Sequence, residues 1–112
     1  MSKKQIESYI PKALEAITKF SIEEDDKVPK QFNGYIASFG ASIRQAGLLA
    51  TVLFYENEQS NSEKDRTKVI QAIEYIIDEK IIQNNQVDKK IRAKVEDAAV
   101  ALKLSVRTFK LV

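Results

Sequence analysis

Apolar residues recur every three or four positions along almost the whole chain, and this spacing limits the fold more than any other feature of the sequence. An α-helix has about 3.6 residues per turn, so residues spaced in this way share one face of a helix. Only three glycines and two prolines interrupt the 112 residues. The pattern therefore predicts an all-α protein, a compact bundle of about four to six helices with one long central helix, forming a single domain over residues 1–112.

The first amphipathic segment spans residues 3–21 and contains Pro11. Proline has no amide hydrogen to donate, so it weakens the interior of a helix. We expect a kink at Pro11; the alternative is an irregular first turn followed by a helix that starts near Pro11. The apolar face consists of Ile6, Tyr9, Ile10, Ala13, Leu14, Ile17 and Phe20.

Four consecutive acidic residues follow this segment, with Pro29 shortly after them. Residues 22–30 suit neither a helix nor a strand, so we predict a surface loop. A cation could bind here, but a calcium loop needs alternating ligands and a glycine turn, which the segment lacks. We therefore favour a solvated acidic loop over a metal site. The acidic residues are Glu23, Glu24, Asp25 and Asp26.

The middle of the chain predicts one long helix from Pro29 to Tyr55. Its apolar stripe stays in phase across Gly47, which favours a continuous helix, although Gly47 could also end a first helix before a second begins at Leu48. Residues 48–55 are apolar on nearly all sides, so we expect them to form the centre of the core. The stripe consists of Phe32, Tyr35, Ile36, Phe39, Ile43, Ala46, Ala50, Leu53 and Phe54.

Two further helices follow a polar loop at residues 56–62. The first should start near Ser62, since Ser60 with Glu63, or Ser62 with Asp65, has the spacing of a capping box. It should end at residues 83–85. The second is predicted over residues 86–109. The buried residues of the first are Val69, Ile73, Ile76 and Ile77. Those of the second are Val87, Ile91, Val95, Ala98, Leu102, Val106 and Phe109.

The terminal helix carries a basic stripe away from its buried side. At about 100° per residue, five cations fall within roughly 60° of the helix circumference, with only Glu96 among them. A positive stripe attracts a polyanion through phosphate contacts and counterion release. The alternative is a charged face that only keeps the protein in solution. The five cations are Lys89, Arg92, Lys103, Arg107 and Lys110.

The chain contains no histidine and no cysteine, the usual general base near neutral pH and the usual ligands of transition metals. Mechanisms that need these residues, including zinc chemistry, are therefore excluded. We predict that the protein is not an enzyme and has no catalytic residue, metal site or cofactor. The sequence also lacks an apolar stretch of about 20 residues and a signal-peptide core, so we expect a cytoplasmic protein with no membrane contact.

A resemblance to a known family is carried mainly by the middle of the chain. The acidic loop is followed by Val28-Pro29-Lys30 and by residues 34–55. The most telling part is the run Ile43-Arg44-Gln45-Ala46-Gly47-Leu48-Leu49, followed by Leu53-Phe54-Tyr55. Together with residues 72–76 and 97–104, these segments resemble the small helical subunit of the type III-B CRISPR effector, the Cmr complex.

The resemblance implies a non-catalytic subunit of an antiviral, RNA-guided complex. Several copies of such a subunit stack along the guide and target RNA and contact the nucleic-acid backbone through basic residues, whereas other subunits cut the RNA. The implied partners are the other subunits of the effector complex, further copies of this chain, and the guide and target RNA. Our candidate RNA-binding residues come from the charge geometry of the sequence. They are the five cations of the basic stripe together with Lys30 and Arg44, which flank the long helix.

Two other interpretations remain open on the sequence. The first is a helical protein-interaction adaptor or homo-oligomer without a nucleic-acid role, whose basic stripe is only solvated. The second is a magnesium-dependent enzyme that uses residues 23–26, which the missing catalytic groups disfavour. Salt-sensitive binding to single-stranded RNA separates an RNA-binding subunit from an adaptor, because phosphate contacts release counterions.

Overall fold

The helical periodicity of the sequence produces five α-helices in the part of the chain that the structure describes. This structure is a computed structural model; it describes residues 3–56, 63–84, 86–88 and 90–112, and of residues 63–65 the backbone only. The helices are α1 (Lys3–Lys19), α2 (Lys30–Ala46), α3 (Leu48–Tyr55), α4 (Glu63–Ile77) and α5 (Ile91–Val106). They pack into an all-α bundle, which confirms the predicted fold class. None of these helices is long and apolar enough to cross a membrane.

α5 forms the middle of the bundle and packs against α1, α2 and α4. Its apolar side is buried as predicted, because residues at a helical spacing share one face. α1 begins at Lys3 and continues through Pro11, so the alternative of a helix starting near Pro11 is wrong. Pro11 cannot donate to the Glu7 carbonyl, but both residues are exposed and water can satisfy that carbonyl. The kink at Pro11 stays a prediction.

The long central helix is divided at Gly47, which was the alternative to a continuous helix. Gly47 has a φ of 91°, in the left-handed region that favours glycine. Its amide donates to the Ile43 carbonyl at 2.9 Å and closes α2. Its carbonyl accepts hydrogen bonds from the amide and the hydroxyl of Thr51, at 3.2 and 2.8 Å, at the start of α3. The hydroxyls of Ser42 and Thr51 lie 2.8 Å apart and connect the two helices.

The break at Gly47 changes which residues of the predicted stripe are buried. The large apolar residues of α2 face the core as expected, but Leu53 and Phe54 of α3 are 51% and 56% exposed. α3 instead turns Leu48, Val52 and Tyr55 inward. The prediction that residues 48–55 are packed on several sides at the centre of the core is therefore wrong, because α3 follows a change of chain direction and lies at the surface with one side buried.

Replacing Gly47 by alanine tests the break. A Cβ added at Gly47 would meet no atom within 4 Å, so the cost comes from the left-handed φ alone. We expect the free energy of unfolding to fall by roughly 1–3 kcal/mol, measured by urea denaturation. Gly34→Ala is the matched control: its Cβ also meets no atom within 4 Å, but Gly34 lies inside α2, where alanine should stabilise the helix. Equal effects of both substitutions would contradict the conformation at Gly47.

Within the described residues, four strands of two residues each accompany the helices. β1 (Lys27–Val28) pairs in parallel with β4 (Lys110–Leu111), and β2 (Ile82–Gln83) pairs antiparallel with β3 (Gln86–Val87). The acidic loop therefore contains a short strand that was not predicted. The β2–β3 hairpin also replaces the predicted end of α4 and the predicted first turn of α5. β1 and β4 form by pairing with a segment that is distant in the sequence, and local sequence preference does not report such a pairing.

The acidic loop has a defined turn. The backbones of Glu24 and Lys27 exchange two hydrogen bonds, of 2.8 and 3.0 Å. Between them, Asp25 and Asp26 have φ angles of 53° and 62°, which aspartate tolerates better than most residues. Asp26 also donates its amide to the Glu23 carboxylate at 3.0 Å. The loop therefore presents its acids to solvent and directs β1 towards β4. Residues 57–62 of the predicted polar loop lie outside the described residues.

Candidate nucleic-acid interface

α2 and α5 lie side by side and run in opposite directions. The start of α2 is next to the end of the chain, since the Lys30 amide donates to the Val112 carbonyl at 3.3 Å. Gly40 and Arg44 of α2 line one cleft with Glu96 and Lys103 of α5. Two candidate residues from distant parts of the sequence, Arg44 and Lys103, therefore lie along one seam of the bundle.

A cleft of about 320 Å³ opens along this seam, and we call it the α2–α5 cleft. It exists because the residues where the helices meet are small, which leaves space between larger side chains at the rim. At Gly40, an added Cβ would contact only the Arg44 guanidinium, at 3.8 Å from Nη2. The cleft is lined by Ile36, Ala37, Gly40, Arg44, Glu96, Ala99, Val100 and Lys103.

The two cations that line the α2–α5 cleft have no carboxylate partner among the described residues. Glu96 forms an ion pair with Arg92, whose Nε lies 3.0 Å from Oε1. Among the described residues, neither Arg44 nor Lys103 has a carboxylate at ion-pair distance. Arg44 makes only a long hydrogen bond, from Nε to the Gly40 carbonyl at 3.4 Å. Two cations therefore face an apolar floor and remain available for an anionic ligand.

The predicted basic stripe does not lie on one helix. Arg92 and Lys103 belong to α5, but α5 ends at Val106, and Arg107 is its C-terminal capping residue. Lys110 lies in β4, so the prediction that it projects from the terminal helix is wrong. The amides of residues 108 and 109 turn back to the carbonyls of residues 105 and 106, at 3.1 Å each, which ends the helix before β4. Lys89 lies outside the described residues.

The strand pair brings in a cation that the sequence analysis missed. Lys27 is the Cα partner of Lys110 in the parallel β1–β4 pair, and both are exposed. Side chains at paired positions of neighbouring strands lie on the same face, so the two lysines are neighbours. Lys30, also exposed, begins α2 just beyond β1. No local signal could have shown this cluster, because Lys27 follows four acids and its partner is more than eighty residues away in the sequence.

α3 presents a different kind of surface. Its exposed or half-buried side, which we call the α3 outer face, consists of Leu49, Ala50, Leu53 and Phe54. The Arg66 guanidinium lies 4.9 Å from the Phe54 ring centroid and 5.3 Å from that of Tyr35. An exposed apolar helix face of this kind is typical of a protein-contact surface.

The inner side of α3 is fixed by Tyr55. Its ring packs edge-on against Phe39, with centroids 5.1 Å apart, and its hydroxyl donates to the Tyr35 carbonyl at 2.6 Å. Burial raises the pKa of Tyr55 to about 12, so the hydroxyl stays protonated and keeps donating near neutral pH. The α3 outer face is therefore held in place relative to α2.

Metal binding finds no support in the described part of the chain. No group of three or more carboxylates there could hold a metal ion, and this includes the four acids of the loop at residues 23–26. The carboxylate of Glu23 already accepts the backbone amide of Asp26.

Comparison with known proteins gives one match. The sequence matches the model of a protein family described as CRISPR-associated protein (Cas_Cmr5) over residues 6–108. This range contains most of α1 and all of α2 to α5, so the match covers the packed core. Neither the curated proteins nor the solved structures contain a match.

Proposed function

The chain belongs to the Cas_Cmr5 family of CRISPR-associated proteins, and from this membership we propose that it is a non-catalytic small subunit of the type III-B CRISPR effector, the Cmr complex. In this role several copies stack along the guide and target RNA in the cytoplasm and take part in antiviral defence. Their basic residues contact the RNA backbone. Other subunits of the complex perform the cleavage, in agreement with a chain that has no histidine or cysteine.

The observation that carries the RNA contact is the pair of uncompensated cations in the α2–α5 cleft. Arg44 and Lys103 come from different helices, yet both line one cleft without a carboxylate partner among the described residues. Arg92 lies towards one end of this seam, and Arg107 lies just past the other end of α5. The distance along α5 from residue 92 to residue 107 is about 22 Å at 1.5 Å per residue, enough to follow several phosphates of a strand.

Protein partners have a separate candidate surface. The α3 outer face carries Leu53 and Phe54 with about half of each side chain exposed, and Arg66 lies against the Phe54 ring. Aromatic residues and arginine are enriched at protein interfaces. We assign this face to contacts with other subunits or with further copies of the chain. This face and the α2–α5 cleft share no residue, so RNA and protein can be bound at the same time.

Reversing the charges of the cleft tests the RNA contact. We expect the double variant Arg44→Glu and Lys103→Glu to weaken capture of target RNA by the assembled complex by roughly tenfold or more, because repulsion replaces two phosphate contacts. The measurement is a binding titration with labelled RNA. Lys3→Glu with Lys4→Glu is the matched control, with the same change of net charge on α1. It should capture RNA like the unmodified complex.

The adaptor interpretation makes a different prediction for the cleft variant, which should then capture RNA normally. Leu53→Glu with Phe54→Glu should prevent assembly under either interpretation, because charge is placed in the apolar contact. Normal capture by the cleft variant at low and high salt would refute the proposed RNA contact and favour the adaptor.

A further inference from the structure

The α2–α5 cleft contains a carboxylate beside its two cations. Glu96 lines the cleft with Arg44 and Lys103, but it pairs with neither of them. Arg92 engages only Oε1, and Oε2 accepts no hydrogen bond from the described residues. The Glu96 side chain is 31% exposed, so this oxygen is available to a ligand. A site for a simple anion gains nothing from a carboxylate at this place, because like charges repel.

We infer that the α2–α5 cleft binds one ribose–phosphate unit of an RNA strand, with the phosphate between Arg44 and Lys103 and the ribose 2′-hydroxyl donating to Glu96. This inference rests on the proposed function and adds a basis for choosing RNA over DNA. A ribonucleotide carries an anion and a hydroxyl donor close together, which matches two cations and one acceptor. DNA has the anion without the donor.

Other occupants fit the cleft less well. An acidic peptide would satisfy the cations, but its carboxylate has no hydrogen to donate, so a separate backbone amide would have to reach Glu96. The floor of Ala37, Ala99 and Val100 is apolar and suits the C–H face of a sugar. A volume of about 320 Å³ is at the lower end of small-molecule sites, so it holds a sugar–phosphate unit and leaves the base outside.

The ion pair with Arg92 gives Glu96 a fixed position. The two residues are one helical turn apart on α5, and the 3.0 Å contact between Arg92 Nε and Glu96 Oε1 holds the carboxylate at the seam. An ionised carboxylate accepts a stronger hydrogen bond than a neutral group does. Arg92 therefore acts as a positioning residue for Glu96, and the 2′-hydroxyl is the feature that distinguishes RNA from DNA.

Single 2′-deoxy substitutions in the target RNA test this inference. Complexes are assembled with the unmodified chain, Glu96→Ala or Glu96→Gln, and each is titrated with RNAs that carry one deoxynucleotide at successive positions. At the contacted positions, we expect deoxy substitution to weaken binding by the unmodified complex about tenfold and by Glu96→Ala less than about twofold. Glu96→Gln should fall between them, because its amide oxygen still accepts a hydrogen bond.

The control is Glu79→Ala, which removes a carboxylate that pairs with Lys94 at 2.8 Å and does not line the cleft. It should retain the full sensitivity to deoxy substitution. If Glu96→Ala and the unmodified chain were equally sensitive to deoxy substitution at every position, the ribose contact would be overturned. The proposed function would still stand as long as Arg44→Glu with Lys103→Glu weakens RNA capture. If the Glu96→Gln chain folds normally but does not assemble into the complex, the cleft is a contact for another protein, and the inference is overturned as well.

Discussion

Replacing Phe39 by alanine should lower the free energy of unfolding by about 3–5 kcal/mol, whereas the same truncation at Leu53 should lower it by less than about 1 kcal/mol. Phe39 has no exposed surface and packs edge-on against Tyr55. Its removal leaves a cavity between α2 and α3 and loses the contact with the Tyr55 ring. Leu53 is 51% exposed, so alanine there removes little buried area and opens no cavity.

Urea denaturation of both variants provides the measurement, with the same slope expected for each because the surface exposed on unfolding changes little. Leu53→Ala is the control for Phe39→Ala, since both remove a large apolar side chain from neighbouring helices. The sequence placed both residues on one apolar stripe, and burial of the whole stripe would give similar losses at the two positions. Equal losses in the experiment would mean that α3 is turned inward and that Gly47 does not redirect the chain.

The residues of α2 and α5 show which part of the fold the sequence could predict. Their large apolar positions repeat at the helical spacing, and most of them are buried in the structure, although Tyr35 is only partly buried and Ala46 is exposed. α3 shows the limit of this reasoning, because Leu53 keeps the phase of the stripe but follows a bend at Gly47. Periodicity assigns a residue to a face of its own helix; whether another helix covers that face depends on how the chain turns.

The candidate site was predictable only in part, for a similar reason. Helical geometry placed Arg92 and Lys103 on one side of α5, and the structure agrees. It could not place Arg44 in one cleft with Lys103, because that arrangement depends on how α2 packs against α5. It also placed Lys110 on the helix, whereas pairing with Lys27 fixes it in a strand. Contacts between distant segments decide the charge pattern of this surface.

The largest effect on RNA binding is expected from reversing Lys103, Arg107 and Lys110 together to glutamate. Lys103 lies at the cleft, Arg107 at the end of α5 and Lys110 in β4, so the three follow the surface from the seam to the strand pair. If each neutralises one phosphate of a single strand, the slope of log K against log salt should become shallower by about 2, at about 0.7 per contact. The loss should be similar for unrelated RNA sequences, because phosphate contacts carry no base information.

The salt series is measured on the assembled complex, with thermal melting to verify that the variant is folded. Arg107 and Lys110 are exposed and should accept glutamate, but Lys103 is half-buried near Glu96, so its reversal carries the larger risk to stability. Lys3, Lys4 and Lys12, all exposed on α1, are reversed as the matched control with the same change of net charge. A long-range effect of net charge would change both slopes alike. If only the reversal of Lys103, Arg107 and Lys110 changes the salt slope, the RNA contact lies on the side formed by α2, α5 and β4. If neither variant changes the slope, these cations are a solvated face and the adaptor interpretation is supported.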